Sequence, residues 1–156
     1  MPQWLITALS TILPSLFVAV CTAYITVRLS LRQFHAQWWW ERKAEAYSRI
    51  VEALHHGIEY CSAKTDETMT GQEISEEREK QLREEYGRAT CELRKALGIG
   101  AYIISDEVAK ALARLEAPPQ LDPDEASFFE LYDADCAAYK EALAEVRRLA
   151  KKDLGV

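Results

Sequence analysis

Arg49 and His55 stand with five residues between them on a run that has no proline or glycine until Gly57. An arginine beside a histidine can cleave phosphodiesters, because the guanidinium neutralises the phosphate while the imidazole moves protons near neutral pH. Glu52 precedes His55 by three residues, and on a helix a Glu-x-x-His pair offers a carboxylate and an imidazole to one metal ion. A dinuclear site needs a second such pair and two further carboxylates. His35 and His56 are the other histidines, and neither follows a glutamate at that spacing. The expectation is therefore no metal and no cofactor. No glycine-rich phosphate loop, zinc spacing or Ser-His-Asp ordering is present, which weighs against an enzyme and leaves Arg49 and His55 as the alternative catalytic pair.

These residues sit on a chain of two contrasting parts. Of 156 residues, Pro2 to Val27 carry no charged side chain, so the whole formal charge of -6 lies beyond them. An acidic remainder disfavours nucleic acid as a partner. Cys21, Cys61, Cys91 and Cys136 are far apart, with no C-x-x-C pair, and read as reduced core thiols on apolar helix faces.

As a helix, Trp4 to Val27 would measure about 36 Å, enough to cross a hydrocarbon core of about 30 Å with some tilt. A cleaved signal peptide would need a basic leading region and a small-residue cleavage site, and neither is present. Residues 1–28 are thus expected to be a single transmembrane anchor. Basic residues Arg28, Arg32, Arg42 and Lys43 follow it and none precedes it, which places the N-terminus outside and the rest in the cytoplasm of a bacterial inner membrane. Thr7, Thr11, Ser15, Ala19 and Ala23 recur every fourth residue, a stripe of small side chains that lets spans pack closely and predicts a homo-oligomer. Pro14 should kink the span.

Residues 29–156 read as a cytoplasmic all-α domain: an antiparallel bundle of three long helices plus one short helix, entered by the continuing membrane helix. Trp40, Ala44, Tyr47, Val51, Leu54, Ile58 and Cys61 alternate spacings of four and three, a bundle seam. Trp38 and Trp39 point elsewhere, either to lipid headgroups on a bent helix or to a neighbouring subunit. Ser62 to Gln72 lacks apolar periodicity and reads as a loop, with Thr70 and Glu73 as a capping box for the next helix. That helix carries Leu82, Tyr86, Ala89, Leu93 and Ala96, with ion pairs expected for Glu76 with Lys80, Glu79 with Arg83 and Glu84 with Arg88, and ends at Gly98 or Gly100. Ser105 caps a short helix to about Glu116, and Tyr102, Ile103 and Ile104 before it suit the core or, if the helical hairpin returns the chain toward the membrane, the bilayer surface. Asp122-Pro123-Asp124-Glu125 opens a final helix bearing Tyr132, Cys136, Tyr139, Leu143, Val146 and Ala150.

The run Gln37 to Tyr47 (QWWWERKAEAY), then Ile50 to His55, resembles a group of bacterial single-span membrane proteins with a helical domain, and Ile103 to Glu107 and Ala150 to Leu154 are similar to their later segments. That resemblance implies architecture and no particular activity. The Arg49 to His55 spacing resembles the HEPN ribonucleases, helical domains that cleave RNA as dimers, although Ile50 stands where a polar residue is usual. One span before a helical bundle also looks like the membrane-pore accessory proteins of type VI-B CRISPR systems. The expected function is a self-associating inner-membrane protein with a cytosolic sensing bundle that binds lipid and an unidentified protein partner, with bacterial defence as one setting. The alternatives are a HEPN-like ribonuclease and a passive tether for a larger complex.

Overall fold

The computed structural model describes residues 3–98, 102–116 and 127–155, with side chains from residue 19 onward. The described residues form four α-helices and no strand, as the periodicities predict: α1 Gln3–Thr70, α2 Glu76–Gly98, α3 Asp106–Ala113 with a 3-10 turn Arg114–Glu116, and α4 Phe128–Leu154. The chain divides into two compact units, Met1–Glu41 and Arg42–Val156.

In the first unit the described side chains are almost all exposed, including Val20, Tyr24, Ile25, Val27, Leu29, Leu31, Phe34, Trp38, Trp39 and Trp40. Local contacts run along the helix: Thr26 Oγ1 donates to the Thr22 carbonyl at 2.8 Å, Arg28 reaches the Tyr24 hydroxyl at 3.4 Å, and Gln37 donates to Glu41 at 2.9 Å. The Trp38 and Trp39 rings meet edge to face, 5.7 Å between centroids. Trp40, expected in the bundle seam, is 50% exposed and belongs to this unit. Among the described residues no helix is long and apolar enough to cross a membrane. Thr7, Thr11, Ser15 and most of the uncharged stretch fall among residues 1–18, whose side chains lie outside the described residues; Ala19 and Ala23 are exposed.

The second unit is a three-helix core with α3 packed on it. Cross-links fix the directions. On α1 and α4, Tyr47 meets Asp153, His55 meets Arg147 and Ser62 meets Cys136, so rising numbers on one helix match falling numbers on the other. On α1 and α2, Glu59 meets Arg78 and His56 meets Glu85. Both partners are thus antiparallel to α1, as expected. Tyr47, Ile50, Leu54 and Cys61 of α1 pack with Ala89 and Leu93 of α2, Val108 and Leu112 of α3, and Cys136, Tyr139, Leu143 and Val146 of α4. Leu54, Val108, Leu112 and Val146 are essentially solvent-free, each burial worth roughly 1.5–3 kcal/mol. Ile104 is buried as expected, whereas Tyr102 is exposed. Cys61 and Cys136 are core thiols; Cys91 is exposed, contrary to the reading of all four as core.

Three helix boundaries differ from expectation. Ser62 to Thr70 is the last part of α1 rather than a loop. Its hydroxyls sustain the helix without an apolar stripe: Thr65, Thr68 and Thr70 donate to the carbonyls of Cys61, Lys64 and Asp66. Thr70 is therefore a helix terminus and not the cap of α2. Gly71, at φ +67°, turns the chain, its N–H donating to the Glu67 carbonyl at 2.9 Å. The acids Glu76, Glu77 and Glu79 then open α2, where they suit the positive end of the helix dipole. Ser105 precedes α3 with extended backbone but makes no side-chain cap bond. Asp122 to Glu125 lies outside the described residues; α4 begins at Phe128, capped by Ser127, whose hydroxyl accepts from the Glu130 N–H at 3.3 Å while Glu130 accepts from the Ser127 N–H at 2.8 Å.

Candidate functional site

Arg49 and His55 are six positions apart on α1, which at about 100° per residue places them some 120° apart around the helix. The structure sends them to different partners. Arg49 is 64% exposed and donates to Glu45 at 2.6 Å. The His55 ring receives an Arg147 N–H from α4, 2.8 Å to Nε2. A guanidinium has no acceptor, so Nε2 accepts and the ring proton sits on Nδ1. The nitrogen a nuclease would use as a base is thereby engaged. Glu52 and His55 diverge as well, because Glu52 lines a cleft on the α2 side and His55 does not.

That cleft, of about 400 Å³, lies between α1 and α2 and is lined by Arg49, Glu52, Ala53, His56, Glu85, Arg88, Ala89 and Glu92. His56, one residue beyond the histidine singled out from the sequence, is its centre. Its Nδ1 is buried, 3.6 Å from a Glu85 carboxylate oxygen and 3.9 Å from one of Glu59, too far for a hydrogen bond. Three ligand atoms of His56, Glu59 and Glu85 lie within 4.8 Å of one another, spacing from which a divalent ion could be gathered. Glu59, however, already pairs with Arg78, and the cleft mixes carboxylates with guanidinium groups. Its electrostatics are those of a mutually neutralising surface. Positive and negative groups in alternation suit contact with another polar surface better than they suit one isolated ion.

Lys64 ties the far end of this surface, donating to Glu67 at 2.8 Å and to Glu79 of α2 at 3.0 Å. The hydrogen bond from Lys64 holds both the Glu67 and the Glu79 carboxyls below their ordinary values. Glu79 also takes Arg83, as the spacing predicts. No Glu76–Lys80 bridge is among the described pairs, and Arg88 reaches the Glu84 backbone carbonyl at 3.5 Å rather than its carboxylate.

Beneath the cleft three tyrosines join α1, α2 and α4. Tyr60 stacks on Tyr86 at 4.4 Å, Tyr86 meets Tyr139 edge to face at 6.3 Å, and the Tyr139 hydroxyl donates to that of Tyr86 at 3.4 Å. Burial, followed by the bond to Tyr86, pushes the Tyr139 phenol well up. Burial likewise pushes the Cys61 thiol up to about 12, an inert packing group rather than a nucleophile.

No protein-family model matches the chain, and no curated protein or solved structure matches it. The resemblance of Gln37 to Tyr47, Ile50 to His55, Ile103 to Glu107 and Ala150 to Leu154 to bacterial single-span proteins therefore rests on those residues alone.

Proposed function

We propose that this chain is a self-associating single-pass inner-membrane protein whose cytosolic bundle is a non-catalytic interaction module. The observation that carries the reading is the first unit's array of exposed large apolar side chains, Val20 through Trp40, whereas the second unit has a buried core and exposes few, among them Met69, Tyr102 and Phe128. Apolar surface of this extent needs lipid or protein to cover it. The uncharged stretch Pro2 to Val27, closed by Arg28 and Arg32, supports lipid for its N-terminal part, and the basic residues after it support an N-terminus outside. A membrane-acting role in bacterial defence is the setting this architecture fits, with the charged α1–α2 face as the surface offered to a protein partner.

The ribonuclease alternative draws less support, because Arg49 and His55 face apart and His55 is held by Arg147. The passive tether would place the bundle beside a larger membrane complex, without self-association or action on the membrane. Expression of the full chain followed by alkaline carbonate extraction, with reporter fusions at each end, tests the anchor. Retention in the membrane pellet with a cytoplasmic C-terminus is expected. Release into the supernatant sinks the membrane reading, and a monomer in nanodiscs favours the tether.

A further inference from the structure

Ile25, Leu29, Trp39 and Trp40 lie on other faces of the helix, but six of the ten exposed large apolar residues of the first unit share one face. Val20, Tyr24, Val27, Leu31, Phe34 and Trp38 follow one another at spacings of four, three, four, three and four. All six are exposed, from 44% at Trp38 to 65% at Phe34. That alternation averages 3.5 residues, the repeat that keeps a stripe facing a neighbouring helix. It runs about 28 Å along α1. Continued, the same spacing meets Glu41, Glu45, Ser48 and Glu52, so the stripe ends at Trp38 and is distinct from the bundle seam.

We infer that Val20, Tyr24, Val27, Leu31, Phe34 and Trp38 form the seam of a parallel coiled coil between copies of this chain. The inference rests on the self-association proposed above and names its surface, orientation and occupant. Lipid can cover Val20, Tyr24 and Val27, but Leu31, Phe34 and Trp38 lie beyond Arg28, where the chain leaves hydrocarbon. Copies anchored in one bilayer point the same way, so a second copy meets the stripe in register over its whole length.

The flanking charges agree. One flank of the seam carries Cys21, Arg28 and His35, with the charge of Arg28; the other carries the uncharged Ala23, Ser30 and Gln37. In a parallel pair the basic flank of each helix faces the uncharged flank of its neighbour. An antiparallel pair would set basic flank against basic flank.

A parallel seam also makes each of its residues meet its own counterpart. In native membranes of a Cys21→Ser/Cys91→Ser background, Leu31→Cys and Trp38→Cys are each expected to give oxidation-induced disulfide dimers, and Gln33→Cys is not. Light scattering of the full chain in nanodiscs is expected to show the Leu31→Glu/Phe34→Glu double variant as a monomer, while the off-seam Leu29→Glu keeps the wild-type mass. Circular dichroism of these surface variants confirms that the helices persist. A multimer that survives Leu31→Glu/Phe34→Glu overturns the seam yet leaves self-association standing. A monomeric wild type overturns both. Cross-linking of Leu31→Cys to a different protein overturns the second copy as occupant.

Discussion

Replacing Gly57 with alanine sets two effects of opposite sign against each other. Gly57 lies inside α1, where alanine is favoured by about 0.8–1 kcal/mol for helix formation. A Cβ built there stands 2.4, 2.6 and 2.9 Å from the Cε1, Cδ1 and Cζ atoms of Tyr139. Ordinary carbon contacts lie at about 3.5–4.0 Å, so roughly 1 Å must be opened. Moving the ring breaks contacts: Tyr139 is buried on α4, its hydroxyl bonds to Tyr86, and Tyr86 stacks on Tyr60. Overpacking of this kind costs about 1–3 kcal/mol, occasionally more. An opening of roughly 1 Å belongs at the upper end of that range, so the clash outweighs propensity, with a net loss of about 2 kcal/mol. Urea unfolding of the full chain in detergent, followed by circular dichroism, measures it. In a Tyr139→Leu background the same substitution should become neutral or stabilising, because the propensity gain is no longer opposed. A Gly57→Ala protein as stable as wild type, or more stable, would refute the close approach of α4 to α1.

Ser127→Ala removes one half of the capping box and should cost about 1 kcal/mol in the same assay, with Glu130→Ala not additive to it. At pH 8 in the folded state, a thiol reagent should label exposed Cys91 and spare Cys61, whose buried thiol is held near 12; unfolding should equalise them. Burial works against the Asp153 carboxylate, but the bond donated by the Tyr47 hydroxyl wins, and its value lies below the usual 3.8. The stability this contributes is present above pH 3.8 and is lost as the pH falls through the lower folded value, so Tyr47→Phe should flatten the acid limb of a stability profile taken from pH 5 to 2.5.

Helices were legible in the chain because apolar spacing alone reveals which face is buried, and Tyr47, Leu54, Cys61, Leu82, Ala89, Leu93, Cys136 and Val146 are all inside. Where the stabilising groups were hydroxyls instead of methyls, the pattern fell silent, and Ser62 to Thr70 read as a loop. Ser127-x-x-Glu130 was present as a cap signature, but the stronger signal of Asp122 and Pro123 drew the helix start earlier. The notch at Gly57 is a three-dimensional fact: nothing near it in sequence indicates that Tyr139 lies against it. The cleft was missed by one residue. Glu52 and His55 share a spacing, yet a helix turns about 100° between His55 and His56, and that rotation hands one imidazole to α4 and the other to α2.

The cross-links of the bundle also differ in how far apart their ends lie along the chain. Lys64 to Glu79 spans 15 residues and Glu59 to Arg78 spans 19, whereas Ser62 to Cys136 spans 74, His55 to Arg147 spans 92 and Tyr47 to Asp153 spans 106. Closing the loop of 92 costs about 1.4 kcal/mol more chain entropy than closing that of 19. On that measure the α1–α2 hairpin is expected to form before α4 docks, which would leave Leu54 and Cys61 half-covered until the final helix arrives. During that interval an unfinished bundle would offer neighbouring chains a greasy groove of its own, so fast docking of α4 guards against misassembly.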